Sequence, residues 1–242
     1  MEIKIFENAE AAACALATRV ARMLSERPNL VLGLPTGRTP IATYADLRRL
    51  HGEGQADFSG ATTFNLDEFA GVPPSHPGSF RTFMEQHLFN GVNLRPERIN
   101  FLHGDAPDLD AECERYESAV EAAGGIDLQL LGIGANGHIG FNEPGDTLVA
   151  RTHRVQLAAS TRRDNAALFG GDPSQVPREA LSMGMGTILK AATLVLIAHG
   201  ERKAECIARS VRGPLTANLP ASFLQVHRNV EMYLDRAAAS RL

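Results

Sequence analysis

The sequence has no tryptophan and only three tyrosines and three cysteines in 242 residues. The cysteines, Cys14, Cys113 and Cys206, lie far apart in helix-like stretches. Such spacing argues against a disulfide framework or a Cys-x-x-Cys metal site, and we read all three as free, buried thiols of a reducing cytoplasm. No apolar run approaches the length of a membrane span. The opening "MEIKIFENAEAAACALATRV" starts acidic and lacks the layout of a secretory signal. No basic block interrupts a formal net charge of −4, which argues against a nucleic-acid partner. Internal repeats and low-complexity tracts are absent too. What is present is ordinary for a globular protein: 44% hydrophobic and 21% charged residues, enough chain for one large α/β domain or two small ones.

Strand-like and helix-like segments alternate along the chain. "NLVLGLP" (29–35) is a short apolar run that stops at a Pro-Thr-Gly turn, and "TPIATYADLRRLH" (39–51) follows with helical spacing. "ATTFNLDEF" (61–69) is β-branched and aromatic, so it reads as a strand. "SFRTFMEQHLF" (79–89), "DLDAECERYESAVEAAG" (108–124) and "ERKAECIARSVRG" (201–213) read as helices. "INFLHG" (99–104), "IDLQLLGIG" (126–134) and "ATLVLIAHG" (192–200) read as buried strands, and "VEMYLD" (230–235) as a last strand. This alternation predicts an α/β fold with a mostly parallel sheet and helices on both faces. The least regular stretch, residues 140–178, is expected to be a lid within a single domain spanning 1–242. Ligands of such folds sit at the carboxyl ends of the strands. Three ends carry suggestive chemistry, "LPTGRTP", "NLDEFAG" and "GIGANGHIGFNEP", and we expect them to converge.

Simple motif readings fail one by one. Gly132-x-Gly134-x-x-Gly137 matches a dinucleotide fingerprint after a strand. However, "HIGFNEPGD" opens no long helix, and no acidic residue follows at the distance a ribose contact needs. "GLPTGRTP" is not a Walker A loop, because its glycines are too close and Arg38 stands where that loop has lysine. Thr36, Gly37, Arg38 and Thr39 still offer backbone N–H groups, hydroxyls and a guanidinium before a helix start, which suits a phosphate as well as a plain capped turn. His138 and Glu143 are close in sequence, and His76 or His103 could join them, but no metal-ligand spacing appears. Asp67-Glu68 ends a strand, where one carboxylate of such a pair often caps or solvates; a general base held at the sheet edge is the alternative, and without further context capping is the expected reading.

Taken together, "LGLPTGRTP", "FNLDEFAG", "HPGSFRTFM", "LLGIGANGHIGFNEPG" and "LPASFLQVH" occur in the order and spacing of one family. The chain resembles the glucosamine-6-phosphate deaminases, also called glucosamine-6-phosphate isomerases, from about residue 29 to 235. The resemblance implies a Rossmann-like α/β fold and conversion of glucosamine 6-phosphate and water into fructose 6-phosphate and ammonia, in amino-sugar catabolism and without a cofactor. It implies that Asp67 moves the C2 proton and that His138 opens the sugar ring, assisted by Asn136 and Glu143. Thr36, Gly37 and Thr39 match the phosphate loop, and Lys203 matches the phosphate-binding lysine. The residue types suit that chemistry. Imidazole transfers protons near neutral pH, and a carboxylate of raised pKa can take a proton from carbon in a shielded site.

Three departures stand out against the resemblance. Some members carry aspartate at the position of Asn136, so Glu143 and His138 form the only charged relay here. The family's phosphate-binding arginine aligns with Ala167, and Arg38 is expected to compensate in preference to Arg162 or Arg163. His153 and Val155 stand where basic side chains serve an effector site in allosteric relatives, and the chain stops soon after its last strand, so no activation by an acetylated sugar phosphate is expected. The partner implied is a small amino sugar phosphate, with no membrane or nucleic acid, and homo-oligomerisation is left open. The alternatives are a deaminase for the epimeric galactosamine 6-phosphate, a 6-phosphogluconolactonase-like hydrolase, and a sugar-phosphate sensor without turnover.

Overall fold

The computed structural model describes residues 1–242. In chain order the elements are β1 (Glu2–Phe6), α1 (Ala9–Glu26), β2 (Val31–Leu34), α2 (Ile41–Gly52), β3 (Thr62–Asn65), β4 (Asp67–Phe69), α3 (Phe80–His87), β5 (Ile99–Asn100), α4 (Leu109–Ala122), β6 (Leu128–Leu131), β7 (His153–Gln156), α5 (Ala159–Asn165), β8 (Glu179–Ser182), α6 (Met185–Leu189), β9 (Thr193–Ala198), α7 (Ala204–Arg212) and β10 (Val230–Asp235). The main sheet has seven strands in the order β1-β10-β9-β6-β2-β3-β5. Every pairing in it is parallel.

The strands alternate faces with period two, and both faces are apolar. In β9, Leu194, Leu196 and Ala198 pack into one core, while Val195 and Ile197 point into the other. In β10, Met232 and Leu234 oppose Tyr233 in the same way. Side chains of α1, α2 and α3 fill the first core, and those of α4, α6 and α7 fill the second. Caps set the helix starts: Asn8 accepts from the Ala11 N–H, Ser79 from Thr82, and Asp108 from Asp110 and Ala111. Each such cap is worth about 1 kcal/mol. The mostly parallel sheet with helices on both faces is therefore as the alternation led us to expect.

From β2 the chain moves outward through β3 to β5, then returns to β6 on the other side of β2 and moves outward through β9 to β10, with the N-terminal strand β1 at that far edge. The strand order thus reverses between β2 and β6, which lie parallel and pair Leu32 with Leu128 and Gly33 with Gln129. A side chain at Gly33 would strike the Gln129 amide, 2.0 Å from an added Cβ. The loops leaving β2 and β6 open a crevice at this switch point.

The structure corrects several sequence readings. "ATTFNLDEF" is not one strand. It breaks at Leu66, so that β3 stays in the main sheet while β4 joins a separate antiparallel sheet, β4-β8-β7. "INFLHG" contributes only two residues to the ladder. Residues 140–178 are more regular than their composition suggests, holding β7 and α5. Cys113 and Cys206 are buried, but Cys14 is exposed on α1. No helix is long and apolar enough to cross a membrane.

Candidate active site at the sheet's switch point

The loop after β2 turns at Thr36-Gly37 and enters α2. Gly37 has φ +90°, a left-handed conformation that glycine adopts without strain. Below this loop, the fully buried Tyr44 hydroxyl of α2 donates to the Pro35 carbonyl, and Tyr116 of α4 donates to the Asn65 carbonyl. Two helices thereby fix the ends of β2 and β3. After β6 the glycine-rich loop folds back, with the Gly137 N–H bonded to the Gly134 carbonyl. Gly137 has φ +87°, and Leu219 lies against it. An added Cβ at Gly134 would fall 2.3 Å from the His138 ring, so the imidazole rests directly on that glycine.

The adjacent pair Asp67-Glu68 divides its roles. Glu68 accepts N–H groups from Phe69, Phe80 and Arg81, and so caps the start of α3. Burial raises its pKa to about 7 while those donors oppose the rise. Asp67 faces the crevice. Burial, with the neighbouring Glu68 charge adding to it, pushes its carboxyl up to about 8. Asp67 is only 6% exposed. A base of that strength on a shielded wall can take a proton from carbon near neutral pH.

Glu143 is the hub of the glycine-rich loop. Asn136 Nδ2 donates to its Oε2 at 2.9 Å. His138 Nδ1 stands 3.5 Å from the same oxygen, and the Thr161 hydroxyl donates to the other. Burial alone would raise the Glu143 pKa, yet His138, Thr161 and Asn136 together hold it at about 2. The carboxylate is therefore ionised across the working range and can orient and charge-stabilise the imidazole. The Asn136 side-chain oxygen also accepts the His138 backbone N–H at 3.2 Å.

The crevice has two connected parts. An inner cavity of about 160 Å³ is lined by Thr36, Gly37, Arg38, Thr39, Asp67, His138 and Gly140, with Leu66, Phe80 and Phe141 as apolar wall. An outer space of about 580 Å³ shares Arg38, Thr39, His138 and Asn165 with it, and adds Thr161, Asp164, His199, Arg202 and Lys203. Lys203 donates to the Ile133 carbonyl at 2.7 Å. Burial lowers its pKa, and the charges of Arg202 and Arg38 push the same way. Three cations thus share one mouth, a field suited to a dianion.

The three strand ends do converge. Asp67, His138, Arg38, Thr36, Gly37 and Thr39 meet in the inner cavity, and Lys203 reaches the outer one. Asn136 and Glu143 line neither and meet the site through His138. Ala167 lines neither space, and neither do Arg162 and Arg163. Among the candidates to replace the missing arginine, Arg38 alone faces the crevice. Sequence reasoning missed Thr161, Asn165, Arg202 and the aromatic wall of Phe80 and Phe141. A Thr-x-x-x-Asn spacing on a short helix carries no signal by itself, and α5 reaches the site only through the tertiary fold. No group of three or more His, Cys, Asp or Glu side chains is arranged to hold a metal ion.

Acid–base groups inside and cations at the mouth, at the switch point of a parallel sheet, define an enzyme of small sugar phosphates. Residues 6–233 match the family described as glucosamine-6-phosphate isomerases/6-phosphogluconolactonase, and the chain belongs to that family. Glucosamine-6-phosphate deaminase 2 of Bacillus subtilis is 47% identical, covering 100% of this chain and 98% of its own. A solved monomeric glucosamine-6-phosphate deaminase superposes with a TM-score of 0.96 at 41% identity over 100% of both chains. The 6-phosphogluconolactonase of Thermotoga maritima superposes at 0.75 with 18% identity, covering 97% of this chain and 99% of its own, and shares the fold alone.

Proposed function

We propose that the chain is a glucosamine-6-phosphate deaminase, releasing ammonia and fructose 6-phosphate, with Asp67 and the His138–Glu143 pair as its acid–base groups. The observation that carries this reading is the pair of proton-transfer groups facing one cavity, a buried carboxyl at about 8 and an imidazole backed by an ionised carboxylate. His138 moves the proton of the C1 hydroxyl to the ring oxygen, and the pyranose opens. Asp67 removes the C2 proton, giving an enolamine across C1 and C2. A proton returns to C1, leaving an imine at C2. Water adds at C2 and ammonia departs, so nothing is oxidised or reduced overall. Asn136 and Glu143 hold the imidazole. The loop Thr36, Gly37, Arg38, Thr39 and Lys203 holds the phosphate, and residues 140–178 act as the lid, since Thr161, Asp164 and Asn165 form part of the outer wall. Closure over the enolamine excludes water until hydrolysis at C2.

Ammonia release coupled to fructose 6-phosphate detection tests the reading, with glucosamine 6-phosphate and no added metal or nucleotide. Galactosamine 6-phosphate and a phosphorylated lactone run beside it. Turnover of the gluco substrate is expected, with neither of the others used. Activity on the galacto epimer alone, or lactone hydrolysis alone, would replace this reading with the corresponding alternative.

Arg38 gives a separate prediction. A charge-assisted bond is worth about 1.5–3 kcal/mol, and the exposure of Arg38 places it at the lower end. Arg38→Ala is expected to raise KM about tenfold, since about 1.4 kcal/mol is a factor of ten, with kcat within a factor of about three. An unchanged KM would remove Arg38 from the phosphate site.

A further inference from the structure

We infer that Thr161 is the positioning residue of the acid–base relay: its hydroxyl, carried on α5, fixes the Glu143 carboxylate in the orientation that serves His138. This rests on the sugar-phosphate reading of the site. Glu143 lies on a loop outside every helix and strand. Its carboxylate is bonded by side chains alone, to Asn136 and Thr161, with His138 beside it. Asn136 is exposed, so water competes for its bond. Thr161 is 4% exposed, and its bond is shielded. A helical threonine commonly turns its hydroxyl back to a carbonyl of the preceding turn, but here it reaches out to Oε1. That leaves Oε2 free for Asn136 and His138.

One turn further on, Asn165 Nδ2 donates to the Thr161 carbonyl at 2.9 Å, and Asn165 lines both parts of the crevice. A short helix therefore links the wall of the substrate space to the carboxylate beside the histidine. The Thr161 hydroxyl bonds Glu143 directly, so its removal is read at the Glu143 carboxyl itself.

Two variants separate positioning from mere packing. Thr161→Val keeps the shape and removes the hydroxyl, and Thr161→Ser keeps the hydroxyl. We expect Thr161→Val to lower kcat about tenfold with KM within about twofold, and Thr161→Ser to restore kcat to within about threefold of the parent. Carbon-detected NMR of the Glu143 carboxyl gives a readout independent of turnover. Loss of a donor to the ionised form should raise its pKa by about one pH unit in Thr161→Val and leave it in place in Thr161→Ser. Should the valine variant not fold, Thr161→Ala removes the same hydroxyl. A valine variant as fast as the parent, a serine variant as slow as the valine one, or an unmoved Glu143 titration would each overturn the inference. If the parent protein deaminates no amino sugar phosphate, the functional reading fails, and the carboxyl titration still decides the role of Thr161.

Discussion

Asp67→Asn is expected to abolish deamination of glucosamine 6-phosphate, lowering kcat by about 10³-fold or more, with KM little changed. The amide matches the carboxylate in shape but cannot take a proton from carbon, and a positioned base contributes typically about 10²–10⁴ in rate. Glu68 cannot replace it, because three backbone N–H groups fasten that carboxylate to the start of α3. Steady-state kinetics with ammonia detection checks the loss. A residual rate within tenfold of the parent would assign the C2 proton to another group.

The same variant carries a second signature with the opposite sign. Burial raises the Asp67 carboxyl to about 8 in the folded protein, against about 3.9 in an unfolded chain. The folded state therefore binds the proton more tightly. The stability this confers is fully present below the unfolded pKa and is lost as pH rises through about 8. Asparagine carries no charge to bury, so Asp67→Asn should unfold at a higher temperature than the parent at pH 8.5, with the gap closing towards pH 4. In the active parent, kcat/KM should fall as pH drops below about 8, because the base must be ionised. A variant that is inactive yet more stable at alkaline pH separates a missing catalytic group from a damaged fold.

The extent to which this site was legible in the sequence follows from how local each part is. The phosphate turn, the Asp67-Glu68 pair and the glycine-rich loop are contiguous, so their residue types and spacing could be read directly. The division of labour between Asp67 and Glu68 was legible only as a pair. The choice depends on where the N-terminus of α3 lands, twelve residues on from Glu68. The break at Leu66 escaped notice because β-branched and aromatic residues continue across it, and propensity cannot say which sheet a strand joins. β7 and β8 were missed for a related reason. They pair with each other, β8 alone also pairs with β4, and β7 alternates half-buried and exposed positions, so it lacks the apolar run of a central strand. Thr161 and Arg202 enter the site by tertiary folding alone. The family resemblance reached Lys203 but not these two, because neither lies in a motif.

His138→Asn is the second large effect and separates two steps that Asp67→Asn cannot. If His138 opens the pyranose, its loss slows a step before any carbon–hydrogen bond breaks. The variant then works only on sugar that opens unaided, and kcat should fall about 10²–10³-fold. Deuterium at C2 of the substrate identifies which step has become slow. In the parent, an isotope effect appears to the extent that proton removal by Asp67 limits the rate. In His138→Asn, ring opening limits it, and the effect should fall towards unity. Glu143→Gln should move in the same direction by a smaller factor, because it removes the ionised partner 3.5 Å from Nδ1 and leaves the imidazole in place against Gly134. An isotope effect that persists or grows in His138→Asn would mean that the histidine serves the C2 step, and the roles of the two groups would have to be exchanged. Asp67 and His138 face the same cavity, so position alone is compatible with either order. The raised carboxyl favours Asp67 as the carbon base, since a group of low pKa would gain little by accepting that proton, and the ionised Glu143 favours His138 as the group that must hold a positive charge in passing.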